Sequence, residues 1–166
     1  MCLANGYYET SVVSLTATFC NSIEAFMKST NATYTGFEFE VDGFPAIAII
    51  NADLKDIEGR STYSDSVFIE IVPDKVNEYG QPEEEEHDYL VEVEKKMIEY
   101  LEGQTQTVHV GHTTIYRKRE IIFYTKEPQK VEGFLEYFLS TIERENSFEI
   151  EQDVEWTNVS AFYELL

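Results

Sequence analysis

The sequence predicts an α+β fold with a ferredoxin-like βαββαβ core, and three observations carry that expectation. Apolar residues recur at helical steps in two stretches and alternate with polar ones in several others. From Val67 onward the stretches run strand, helix, strand, strand, helix, strand. That order closes as a split pair of right-handed crossovers, with both main helices on one face of an antiparallel sheet. The chain has 166 residues, 43% apolar and 14% aromatic, enough to bury one core and short for two domains.

Residues 1–30 are rich in Ser, Thr and Ala and poor in charge. They are expected to be an N-terminal extension packing on a single α+β domain that spans 31–166. Val12, Leu15, Phe19, Ile23 and Phe26 fit a helical stripe, and Val13, Leu15, Ala17 and Phe19 alternate as a strand would. A helix over part of 11–28 is favoured.

From Thr33 the pattern sharpens. Phe37, Phe39 and Val41 alternate with Glu38 and Glu40, Asp42-Gly43 offers a turn, and Ala46 to Ile50 is apolar, which predicts a β-hairpin over 34–50 extending the core. A loop with Gly59 and Arg60 follows, then a strand over 67–72 closed by Pro73. Leu90, Val93, Met97 and Leu101 predict a helix over 83–102, with acids in its first turn and Gly103 ending it. Strands are expected at 105–110 and 120–124, joined through 114–119. Pro128 suits a first helical turn, and Val131, Phe134, Leu135, Phe138, Leu139 and Ile142 form the second helical stripe. Phe148 and Ile150 alternate with Glu149 and Glu151 in a last strand, and Trp156 and Phe162 begin a short helix or turn.

Charge narrows the function classes. Asp and Glu number 32 against 12 Lys and Arg, a formal net of −20. Phosphate backbones and anionic membranes are repelled by such a chain, so neither nucleic acid nor membrane is an expected partner. A basic protein surface is the electrostatic match, and acidity alone also serves solubility. No basic residue precedes Lys28 and no run of about 18 apolar residues occurs, so a soluble, cytoplasmic protein is expected. Cys2 and Cys20 form no disulfide framework and read as free thiols.

Several pieces stand together: FEFEVDGFPA at 37–46, Gly80 and Pro82 ahead of the Leu90 helix, VGHTT at 110–114, Arg119 before IIFY at 121–124, and Asp153-x-Glu155-Trp156. In that combination the chain resembles, over roughly 33–166, an uncharacterised bacterial family known as a domain of unknown function. Members of that family sometimes share a chain with a domain like the regulator of ribonuclease E activity, an acidic inhibitor. The resemblance implies the α+β fold and supplies no catalytic residues. The sequence departs from the family pattern at Tyr116-Arg117, where a turn glycine is expected before the basic residue.

Candidate chemistry is sparse. His109 and His112 stand three apart, and on a regular strand they point to opposite faces; sharing a metal would need a bulge at Gly111. No metal site is therefore expected. The run Glu83 to Glu86 lacks the spacing and central glycine of a calcium loop and reads as a solvated helix start. Nucleophile elbows, phosphate loops and dinucleotide fingerprints are missing, so no catalytic residue, cofactor-binding residue or cofactor is assigned. Arg117, Lys118 and Arg119 are the one dense basic cluster and are expected to neutralise nearby acids. Trp156 is expected as a core or interface anchor.

The candidate partner-contact residues lie on the outer helix faces: Glu85, Asp88, Glu92, Glu99 and Glu102 on the first helix, and Glu132, Glu136 and Glu143 on the second. Like charges at helical spacing cost stability, so a one-sign face suggests a use. The sheet's other face, with Phe68, His109, Ile122 and Tyr124 among Glu38, Glu40, Glu70 and Glu149, is expected to be covered by residues 1–30, by a second copy in a homodimer, or by a partner. These features favour a non-catalytic acidic interaction or regulatory protein that docks on a basic protein surface. The alternatives are a small-molecule binding module and a hydrolase using a carboxylate pair.

Overall fold

The computed structural model describes residues 32–166, so the expectations for the segment 1–30 lie outside the described residues. Strands β1 (Tyr34–Val41) and β2 (Phe44–Asn51) form the hairpin, turned by Asp42 and Gly43 at φ of 51° and 82°. Two successive left-handed residues are what a two-residue hairpin turn of the right twist requires. There follow β3 (Asp65–Ile71), α1 (Glu84–Gln104), β4 (Thr107–Ile115), β5 (Lys118–Thr125), α2 (Pro128–Leu139), β6 (Asn146–Gln152) and the short α3 (Ser160–Leu165). All six strands join one antiparallel sheet in the order β1-β2-β4-β5-β3-β6.

Alternation along the strands sends residues into two cores. On one face Ile47, Ile49, Val67, Ile69, Ile71, Ile121 and Phe123 pack with Leu90, Met97 and Leu101 of α1 and Val131, Leu135 and Leu139 of α2, so both helices cover the same face. On the other face Ala48, Ile50, Val110, Ile122 and Tyr124 pack with Leu54, Trp156, Val159, Phe162 and Tyr163. This corrects the expectation that the second face needs residues 1–30, another copy or a partner. The segment after β6 folds back over it, stacking Trp156 on Tyr124 at 4.0 Å. Asp153 fixes that fold-back by accepting hydrogen bonds from the Tyr124 hydroxyl (2.6 Å) and from the backbone N–H groups of Thr157 and Asn158 (2.9 Å each).

Several boundaries differ from the sequence reading, β3 among them at Asp65–Ile71 rather than 67–72, and three of the differences are informative. Gly103 does not end α1; the helix continues to Gln104 and closes at Thr105, whose N–H and hydroxyl both donate to the Leu101 carbonyl. The β4–β5 connection is only Tyr116-Arg117, with Thr114, Ile115, Lys118 and Arg119 already in the strands. Arg117 takes the left-handed conformation (φ 63°) that a glycine would adopt more readily. Tertiary contacts hold it there: its N–H donates to the Gly80 carbonyl at 2.7 Å, and the Tyr116 ring lies 4.0 Å from that of Phe44. Finally α2 stops at Leu139, leaving Ile142 and Glu143 in the turn that follows it. Among the described residues no helix is long and apolar enough to cross a membrane.

Candidate functional site

The acidic residues singled out in the sequence are all exposed. Glu85, Asp88, Glu92, Glu99 and Glu102 lie on α1, and Glu132 and Glu136 lie on α2. Glu143, expected on the second helix, is exposed in the turn beyond it. Glu85 pairs with Lys75 at 3.3 Å and Glu92 with Lys95 at 3.2 Å, both near the surface and worth little against solvent. Glu102 accepts the backbone N–H of His109 at 3.0 Å and so ties α1 to the sheet. Glu86 breaks the reading of 83–86 as a solvated run. It is 3% exposed, with both carboxylate oxygens on the Arg144 guanidinium at 2.8 and 3.0 Å, and that pairing holds its carboxyl below the usual range.

Between these acidic positions the two helices leave an aromatic groove of about 570 Å³, lined by Tyr100, Gln104 and Thr105 from the end of α1 and by Lys130, Gly133, Phe134 and Tyr137 from α2. Tyr100 stacks on Phe134 across the helix pair, 4.0 Å between centroids and 7° from parallel. Tyr137 is 72% exposed and Tyr100 45%, unusual for rings of this size. Gly133 forms part of the lining, and a Cβ there would meet nothing within 4 Å.

Beneath α1 lies a second constellation, fully inside the core. Glu94 has no exposed surface, and its Oε1 lies 2.9 Å from both His112 Nδ1 and His109 Nε2. The His112 contact is a hydrogen bond, whereas His109 approaches off the ideal line. The Tyr34 hydroxyl sits 2.7 Å from His109 Nδ1, and Arg119 Nη1 lies 3.7 Å from Glu94 Oε2. Arg119 also donates from Nε to Thr114 Oγ1 (3.0 Å) and from Nη2 to His87 Nδ1 (3.2 Å). These contacts join β1, β4 and α1 through Tyr34, His109 and Glu94, and within the cluster one carboxylate and one guanidinium offset each other.

Both histidines reach Glu94 because β4 is bulged, which corrects the expectation that they face opposite ways. His109 pairs with Phe123 and Gly111 with Ile122, leaving Val110 as the extra residue. Val110 turns into the second core while His109 and His112 both face α1. Gly111 sits at φ 145° beside β2, where a Cβ would lie 1.9 Å from the Ile49 carbonyl oxygen, so only glycine fits.

Burial sets the protonation states. It pushes the His112 imidazole down to about 4 and His87 down to about 3, with the nearby Arg119 charge acting the same way on both. Burial alone raises the Glu94 carboxyl, but the histidines facing it outweigh that and hold it well below the carboxylate range. Near neutral pH Glu94 is therefore an ionised carboxylate, and His112 and His87 are neutral imidazoles. Among the described residues no set of three His, Cys, Asp or Glu side chains is grouped as metal ligands.

Strand alternation splits the basic cluster. Arg119 is buried against Glu94, Lys118 meets Glu70 at 2.8 Å, and Arg117 is exposed in the turn. Trp156 is fully buried and donates its indole N–H to the Tyr63 carbonyl at 3.0 Å, with the Arg60 guanidinium 4.5 Å from its ring centre. The sequence reading missed Glu94, Tyr34 and Arg119 as partners, and Tyr100, Gly133 and Tyr137 as neighbours. A model of a family of unknown function, DUF695, matches residues 34–163. No curated protein and no solved structure matches the chain.

Proposed function

The chain belongs to DUF695, a family whose function is unknown, and from that premise we propose that it is a non-catalytic acidic interaction protein that docks on a basic protein surface. One observation carries this reading: all eight singled-out carboxylates are exposed on the layer built by α1, α2 and the turn after α2. The residues best suited to acid–base chemistry sit inside the core instead, where Glu94, His109 and Arg119 are at most 1% exposed and hold the helix to the sheet. Nucleic acid and anionic membrane remain the disfavoured partners, on charge. A one-sign face of this kind speeds encounter with an oppositely charged surface and sets its orientation.

The same reading extends to the fold: residues 65–152 form a ferredoxin-like core to which the β1–β2 hairpin is added. The order β4-β5-β3-β6, with α1 and α2 packed into one core, supports it.

Reversing charge together at Glu92, Glu99 and Glu136 tests the functional claim. All three are exposed, so the fold should be retained. Proteins captured by the wild-type chain at low salt should associate more slowly with the variant, with little change in dissociation, and the salt dependence of binding should flatten. Equal association rates across salt concentrations would reduce the acidic face to a solubility device.

A further inference from the structure

The sheet ends at β6 with one side of its backbone unused. Val72 donates to the Glu145 carbonyl at 2.9 Å at one end of the β3–β6 ladder, and Asp153 to the Ser64 carbonyl at 2.8 Å at the other. Bonded pairs recur at every second residue of an antiparallel ladder, so Ser147, Glu149 and Glu151 turn their N–H and C=O groups to β3. Those of Phe148 and Ile150 turn outward, and among the described residues no strand and no hydrogen bond meets them. Side chains alternate in step. Glu149 and Glu151 are exposed on the face away from α1 and α2, whereas Phe148 and Ile150 are half-buried against the helix-side core. Between Asn146 and Glu155 the chain carries Glu149, Glu151, Asp153 and Glu155 and no Lys or Arg.

We propose that β6 takes up an extended segment of a protein partner, in which basic residues alternate with apolar ones, as an added antiparallel strand. Main-chain hydrogen bonds to Phe148 and Ile150 hold the segment. Its basic side chains lie beside Glu149 and Glu151, and its apolar ones cover Phe148 and Ile150. Opposite charges on facing strands stabilise a pair, and like charges destabilise it. Two β6 strands meeting about Glu149 would set that carboxylate against its own copy, so a basic partner is favoured over a second chain. β6 packs against α2, which carries Glu132 and Glu136, so the edge borders the acidic layer. This inference rests on the docking function proposed above and supplies the short-range contacts that long-range attraction lacks.

The test uses the full chain and a fluorescein-labelled nine-residue peptide alternating Lys with Val, read by anisotropy beside a counterpart with Glu in place of Lys. The lysine peptide should bind and the glutamate peptide should not. Two further peptides carry N-methyl groups on either the Val or the Lys backbone amides, with side chains and charge unchanged. Antiparallel addition turns the Val amides toward β6, so methylated Val should abolish binding and methylated Lys should leave it within about twofold. Ile150→Pro removes an outward N–H that β3 does not use and should speed dissociation several-fold. Glu149→Lys combined with Glu151→Lys, both exposed, should weaken binding roughly tenfold. Circular dichroism and melting curves establish that each variant is folded. Equal affinities for the two methylated peptides, or binding untouched by the β6 variants, would overturn the proposal. If the Glu92, Glu99 and Glu136 reversals still slowed association in that case, the docking function would stand without this edge; if they too had no effect, both would fall. Binding lost instead with Glu38→Lys and Glu40→Lys would place the segment on β1, and a wild-type dimer in sedimentation that Ile150→Pro dissociates would place a second copy on β6. Either result would likewise overturn the proposal.

Discussion

Glu94 is a carboxylate with no exposed surface whose charge is answered by one guanidinium and two imidazoles. Glu94→Gln leaves Arg119 charged and buried without an anion, a change expected to cost about 3–5 kcal/mol, read as a lower urea midpoint. Replacing Glu94 and Arg119 together by Met should cost much less, because no lone charge is left in the core. Protonation gives a second handle. The folded His112 imidazole lies near 4 against an ordinary value of 6.5, so between these pH values the unfolded chain binds a proton that the native chain does not. Its stabilising contribution is complete above pH 6.5 and is lost as pH falls toward 4, amounting to roughly 2 kcal/mol by about pH 5. His112→Gln should flatten the dependence of stability on pH in that window by about one proton, and an unchanged slope would contradict the buried neutral imidazole. The sequence offered one trace of this cluster, the H-V-G-H spacing. Reading it correctly required a bulge that alternation does not reveal.

Elements were more legible than sites. The β1–β2 hairpin followed from Asp42-Gly43 between alternating segments, and both main helices from their apolar stripes, since each signal is local. Boundaries set by tertiary contacts were not legible. Arg117 turns like a glycine because Gly80 receives its N–H, and α1 passes Gly103 because Thr105 closes it two residues later. The bulge in β4 is the most demanding of these local shapes. Gly111→Ala would drive a methyl group into the Ile49 carbonyl and force an L residue to φ 145°, breaking the β2–β4 pairing at Ile50. The expected loss exceeds about 4 kcal/mol, measured by chemical denaturation or seen as insoluble expression. By contrast Gly133→Ala meets no neighbour and should raise stability by up to about 1 kcal/mol, seen as a higher melting temperature.

At the scale of the molecule, the charge and the sheet act separately. The eight singled-out carboxylates lie outside, on the helices and the turn after α2, while the sheet holds apolar residues on both faces. Strands β2 and β5 supply both cores by alternation: Ile49 and Phe123 face the helices, and Ile50 and Ile122 face the Trp156 layer. The segment from Trp156 to Tyr163 is therefore a structural wall, although it contributes only a 3-10 turn (Thr157–Val159) and the start of the short α3. A chain cut after Gln152 would leave Ile50, Ile122 and Tyr124 bare to water, and the strands carrying them also seat α1 and α2. Loss of the wall should lower the single thermal transition of the whole domain rather than fray one end, and calorimetry on the shortened chain would distinguish the two outcomes. The same coupling should appear as a plateau in amide hydrogen exchange. Backbone protons of β2, β4 and β5 would be released only by global opening, as slowly on the Trp156 side as on the helix side, so neither layer can open while the other keeps the sheet protected.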